Sequence, residues 1–174
     1  SVGVGKLLAR KYLDVELPIV EVSGVLTLDG RRMEENGRRR GDVLFHHPEL
    51  GTQRVFVDYA GAAEFRARVY PTSGYQLVYQ SNCQSQEPVA PCGTTTLDSN
   101  ADIRTTQQRN YDLDIATIEG RLAVAGEPLT NSSGAVALEF ANRQGGRISL
   151  PVTTDEDGAF SGTIYAGTYD VLMQ

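Results

Sequence analysis

The chain has 174 residues, 40% of them apolar and 22% charged, with a net charge of −6 and a pI near 4.9. That composition belongs to a folded globular protein and excludes a disordered one. The acid balance argues against nucleic acid or an anionic membrane surface as partner, and the lack of an apolar run near 18 residues argues against a spanning helix and membrane insertion.

In chain order, residues 1–12 (SVGVGKLLARKY) lack the long apolar core of an export signal. A first strand is expected at Asp14–Leu17. A longer one follows in which Val22, Gly24, Leu26 and Leu28 alternate with other residues, closed by the LDGRR turn at 28–32. The NGRRRGD turn at 36–42 leads into DVLF, and His46-His47-Pro48-Glu49 comes directly after it as a surface loop. Val55 and Val57 mark another strand, PTSG at 71–74 another turn, and Gly, Pro, Ser and Asn make residues 83–92 a loop between strands. The second half repeats this texture: Phe160, Gly162 and Ile164 alternate with Ser161, Thr163 and Tyr165, between turns at 156–158 and 166–168. No amphipathic helix of useful length appears. Short strands at this spacing predict an all-β, antiparallel fold.

The chain also matches itself. Gly24, Leu26, Leu28, Gly30 and Met33 align with Gly120, Leu122, Val124, Gly126 and Leu129. Phe45, Phe65 and Tyr70 align with Phe140, Phe160 and Tyr165, and Tyr75 and Leu77 with Tyr169 and Val171. Upstream, Asp14-Val15-Glu16-Leu17 matches Asp112-Leu113-Asp114-Ile115. A repeat of about 95 residues has the size of a sandwich domain and exceeds a solenoid unit. The expectation is two tandem antiparallel β-sandwich modules, Ig-like or transthyretin-like, at 13–110 and 111–174. Phe65 and Phe160 should hold equivalent core positions, as should Tyr75 and Tyr169. Residues 1–12 are expected to be the end of a preceding module or an exchange strand. The second module is expected to lack the counterpart of 80–109, leaving an open edge.

The second repeat carries a family resemblance. Gly120, Leu122, Gly126, Pro128 and Leu129 follow φxGxφxxxGxPL; Thr154, Asp155, Gly158 and Phe160 follow T-D-x-x-G-x-F; Gly167, Tyr169 and Val171 follow G-x-Y-x-φ. This order resembles the carboxypeptidase regulatory-like or transthyretin-like β-sandwich modules and covers most of 111–174. The first repeat departs from it, with VDYAGAAEF at 57–65 in place of the acidic turn and no proline at Arg32. The resemblance implies a stalk, spacer or interaction module with no catalytic residues.

Candidate chemistry is sparse. Cys83 and Cys92 are close enough in sequence to close their hairpin as a disulfide in an oxidising compartment, and too far apart for a CxxC redox pair. Arg31, Arg32, Arg38, Arg39 and Arg40 crowd one hairpin with Glu34 and Glu35, where guanidinium forks could hold a sulfate, phosphate or acidic glycan; a solvated loop with local ion pairs is the plainer alternative. Asp155 and Asp157 offer carboxylates that calcium could take, although the loop is short and has no bidentate glutamate at EF-hand spacing. His46 and His47 are neighbours on a strand, so their rings point to opposite faces and do not chelate one metal. Asn131-Ser132-Ser133 is a glycosylation sequon. Among sixteen basic residues only Lys6 and Lys11 are lysines, which leaves almost no candidates for Lys–Asn crosslinks. No Gly-x-Ser-x-Gly elbow or phosphate-binding glycine loop is present. The expected function is a non-enzymatic structural repeat of an extracellular or cell-surface fibre, stalk or array, secreted or periplasmic, with no cofactor and no metal. Its expected partners are other copies of itself or neighbouring modules of a longer chain. The alternative is a glycan- or anion-binding module using the arginine hairpin.

Overall fold

The computed structural model describes residues 16–33, 40–58, 60–83, 90–130, 133–143 and 146–173. Every regular element among them is a strand. The first half holds β1 (Val20–Leu28), β2 (Arg31–Arg32), β3 (Gly41–His47), β4 (Gly51–Phe56), β5 (Glu64–Val69), β6 (Thr72–Ser81), β7 (Thr94–Ile103), β8 (Gln107–Gln108) and β9 (Tyr111–Leu113). The second holds β10 (Ile115–Arg121), β11 (Ala123–Val124), β12 (Glu127–Pro128), β13 (Ser133–Asn142), β14 (Arg147–Thr153), β15 (Ala159–Tyr165) and β16 (Tyr169–Met173). The 1–12 segment, Arg38, Arg39 and the sequon residues Asn131 and Ser132 lie outside the described residues.

Alternation sorts the side chains as expected. On β5, Phe65, Ala67 and Val69 are buried while Glu64, Arg66 and Arg68 are exposed. On β6, Tyr75, Leu77, Tyr79 and Ser81 point inward. Strand β1 pairs antiparallel with β2 and β5 along one edge and parallel with β8 and β9 along the other. A second sheet runs β4-β3-β6-β7, all antiparallel. The two face each other, with Phe45 of β3 meeting Phe65 of β5 at a centroid distance of 6.3 Å.

The second half reuses this plan in β10-β15, the β11-β12 hairpin and β14-β13-β16. The aligned residues make the same contacts. Gly24 is the register partner of Phe65, and Gly120 of Phe160. Phe45 pairs with Leu77 and Phe140 with Val171. Phe45 meets Tyr75 edge-on at 6.4 Å, and Phe140 meets Tyr169 edge-on at 6.0 Å. The Tyr75 hydroxyl donates to the Tyr70 carbonyl and the Tyr169 hydroxyl to the Tyr165 carbonyl, both at 3.0 Å. The hairpins at Asp29-Gly30 (φ 50° and 69°) and Ala125-Gly126 (φ 53° and 89°) have positive φ at both central residues, which suits the right-handed twist of the flanking strands.

Three sequence expectations change. The 57–65 segment was expected to depart from the acidic turn, yet Asp58 repeats the role of Asp155. Each carboxylate accepts the amide two residues on, from Ala60 and Asp157. Each backbone N–H bonds the start of the next strand, at Glu64 and Ala159. His46 and His47 belong to β3 and not to a loop after it. Tyr111–Leu113, expected to open the second module, pairs with β1 of the first half.

Candidate functional site

The arginine hairpin is split by burial. Arg31 and Arg32 are exposed on β2. Arg40 is 2% exposed, which corrects its expected place among solvent-facing anion ligands. Its guanidinium donates to the carbonyls of Asp58 (2.7 Å), Met33 (3.1 Å) and Gly61 (3.1 Å). Arg32 Nε also donates to Gly61 O at 3.0 Å. A planar fork with five fixed N–H groups can gather several loop carbonyls in this way. Arg40 thus braces the loops around β3, and the Tyr79 hydroxyl donates to its carbonyl at 2.6 Å. Burial raises the Tyr79 phenol above its ordinary range, and the Arg40 charge partly opposes this.

Cys83 and Cys92 are free thiols in the structure and lie in hydrogen-bonding contact. Burial, then Cys83, pushes the Cys92 thiol up to about 12. The residues after the pair hold the halves together. The Cys92 carbonyl accepts the Ser149 N–H at 3.2 Å, Gly93 bridges Ile148, and Thr94 Oγ1 accepts the Arg147 N–H at 2.9 Å. A Cβ on Gly93 would collide with the Arg147 carbonyl, so only glycine permits this approach. Nearby, Tyr79 and Tyr165 meet edge-on at 6.4 Å.

His46 is exposed and contacts Thr52 Oγ1 at 2.8 Å. His47 is buried on the opposite face. Its Nδ1 accepts the N–H groups of Glu49 and Leu50, both at 3.2 Å, which places the ring proton on Nε2 for donation to Ser73 O at 3.2 Å. The ring ties the β3-β4 turn to β6. In the expected calcium turn, Asp155 Oδ1 accepts the N–H groups of Asp157 (2.9 Å) and Ala159 (2.8 Å). Among the described residues no three His, Cys, Asp or Glu side chains group closely enough to hold a metal ion.

Two further features are a joint between the halves and a groove in the second. At the joint, the Asp112 carboxylate accepts the Thr27 hydroxyl (2.7 Å) and the Gly30 N–H (2.9 Å), which hold it below the usual carboxylate range. In return Asp29 Oδ1 accepts the Ile115 N–H at 2.9 Å. Leu113 is buried, and Tyr111 stacks on Phe65 at 6.4 Å. In the second half the place beside Phe160 is an open groove of about 800 Å³, lined by Glu119, Gly120, Arg121, Asp155, Phe160 and Ser161 among others, whereas the equivalent residues of the first half, Gly24, Asp58 and Phe65 among them, line a smaller one of about 390 Å³ to which Gln108 of β8 contributes.

No family model matches the chain, and no curated protein matches it. Solved structures with some likeness include a DUF3823 family protein from Parabacteroides merdae, at 12% identity and TM-score 0.38, covering 86% of this chain and 82% of that one. Another is a DUF3823 family protein from Bacteroides ovatus, at 11% identity and TM-score 0.38, covering 87% and 83%. The TIE protein of Bacillus anthracis aligns at 13% identity and TM-score 0.33, over 90% of this chain and 28% of its own length. Scores this low carry no functional weight.

Proposed function

We propose that this chain is a non-enzymatic structural unit: two tandem β-sandwich modules of the carboxypeptidase regulatory-like or transthyretin-like kind, serving in an extracellular or cell-surface fibre, stalk or array. The observation that carries the reading is the joint. The segment linking the halves has no slack, because β8 and β9 complete the β1 sheet and β10 opens the next one after a single residue. Reciprocal bonds from Asp112 to Gly30 and from Ile115 to Asp29 clamp that crossover. A crossover this short transmits force and direction from one unit to the next, which a flexible linker does not. The motif glycines and aromatics of 111–174 serve turns and cross-strand packing, as that family resemblance implies. An extracytoplasmic setting accords with the adjacent cysteine pair.

The alternative, an anion- or glycan-binding arginine hairpin, loses Arg40 to internal bracing, and of the exposed pair Arg31 and Arg32 the second already donates to the Gly61 carbonyl.

NMR relaxation of the whole chain tests the structural reading. The two halves should share one rotational correlation time, and Asp112→Ala combined with Asp29→Ala should loosen their coupling at the crossover while the Gly93–Ile148 contact remains. Halves that already tumble independently in the wild type would defeat it.

A further inference from the structure

We propose that the outer edge of β10, together with the Ala125-Gly126 turn and the groove beside Phe160, is the docking site for the Leu13–Leu17 segment of a second copy of this chain. The inference rests on the structural-unit reading and names the contact by which such units join.

The first half shows the finished form of this edge. There β8 and β9 run parallel to β1, Tyr111 covers Phe65, Leu113 enters the core and Asp112 caps the Gly30 N–H. Among the described residues β10 pairs with β15 alone, and its other edge carries no strand. Burial follows this difference. Val22, Leu26, Met33 and Phe65 are 0%, 0%, 1% and 2% exposed, whereas their counterparts Ile118, Leu122, Leu129 and Phe160 are only half-buried. Val124, the counterpart of Leu28, is 59% exposed. Among the described residues the second half therefore holds a receiving surface with no strand laid on it, and open strand edges favour addition of a strand.

The occupant is written in the sequence. Leu13-Asp14-Val15-Glu16-Leu17 carries the pattern of Tyr111-Asp112-Leu113-Asp114-Ile115, with an aspartate between apolar neighbours. On β10, Leu13 would cover Phe160, Asp14 would accept the Gly126 N–H and Val15 would take the place of Leu113. Leu17 at the end of this segment and Ile19 just beyond it are 60% and 54% exposed. Donor and receiver are different patches on one chain, so the contact is head-to-tail and propagates into an open row. One charge differs between the two receiving turns. Glu127 stands where the first half has Arg31, close to the place Asp14 would occupy.

Sedimentation velocity of the full chain over a wide concentration range is the test. The wild type should form a concentration-dependent ladder of oligomers. Val15→Asp should weaken the association by about tenfold or more, the scale of one lost anchor contact. Glu127→Arg should strengthen it, and Asp14→Asn should cancel that gain. A synthetic peptide of residues 8–19 should shorten the ladder by capping the receiving edge, which keeps the test open if a variant misfolds. A chain that stays monomeric at all concentrations, or a ladder indifferent to Val15→Asp and to the peptide, would overturn the docking. A monomer whose halves still share one correlation time would leave the structural-unit reading intact, whereas independent tumbling would sink that reading instead.

Discussion

The ring of Phe160 occupies the space that a side chain on Gly120 would need: a Cβ built there would stand 2.7 Å from Phe160 Cε1. Gly24 and Phe65 repeat the relationship at 2.8 Å, but there the Arg109 carbonyl, between β8 and β9, also presses on the glycine. The glycine and the aromatic are cross-strand partners in both halves, so each pair works as one packing unit.

Substitution at the two glycines should therefore differ. Gly24→Ala meets backbone that cannot swing aside and should cost about 1–3 kcal/mol or more. Gly120→Ala can push the Phe160 ring toward the groove and should cost less than Gly24→Ala. Correspondingly, Phe65→Ala should cost about 3–5 kcal/mol and Phe160→Ala clearly less, since burial sets the penalty. Urea denaturation midpoints of the four variants check the order; equal losses at Phe65 and Phe160 would mean the groove is covered in solution.

Arg40→Met should destabilise the chain by about 1–3 kcal/mol, because it strips donors from the buried surroundings of Met33, Asp58 and Gly61. Arg31→Ala, on the exposed strand β2, should stay within about 0.5 kcal/mol. Thermal melts of both decide the matter, and similar small effects would return Arg40 to the solvent-facing surface.

The period-two pattern made the strands legible, and the aligned glycines, phenylalanines and tyrosines marked the paired positions, because backbone geometry and cross-strand packing are local consequences of residue type. Arg40 was not legible, since a run of three arginines looks the same whether its last member is solvated or spent on carbonyls. The Asp58 turn was hidden by two extra loop residues that displace it from the alignment with Asp155. The joint was hidden for a different reason: Asp112 reaches Gly30 across 82 residues, and nothing local announces such a partner.

His47→Ala should cost about 1–3 kcal/mol by leaving the Glu49 and Leu50 amides and the Ser73 carbonyl without their ring partner. His46→Ala should be nearly silent. Hydrogen exchange would localise the effect: faster exchange at Glu49 and Leu50 in the His47 variant alone is the expected signature, and unchanged exchange there would show that the ring does not hold the turn.

Stability should fall in alkali. Burial, reinforced by Tyr79, holds the Tyr165 phenol well above the ordinary 10.0, and burial raises Tyr79 as well. Above about pH 10 the unfolded chain releases these protons while the folded chain keeps them, so the folded state binds more protons and the slope of unfolding free energy with pH is negative. Their contribution is thus complete below pH 10 and declines as pH rises through the raised values. Melting temperature measured from pH 8 to 11 should show this fall, and Tyr165→Phe should flatten it; an unchanged slope would place the lost protons elsewhere.

The cysteine pair gives the last prediction. In the reduced chain, burial and the neighbouring Cys83 push the Cys92 thiol up to about 12, so Cys92 should alkylate slowly near neutral pH while exposed Cys83 reacts first. Closing the hairpin as a disulfide should add about 2.5–3 kcal/mol by restricting the unfolded chain. The effect should reach the second half, because the Cys92 carbonyl and Gly93 are themselves bonded to Ser149 and Ile148. Protein isolated from an oxidising host should therefore show no alkylated cysteine by intact mass until reductant is added. Reduction should then lower the denaturation midpoint and speed hydrogen exchange along Arg147–Ser149. Two alkylated cysteines before reduction would remove both the bridge and its support for an extracytoplasmic location.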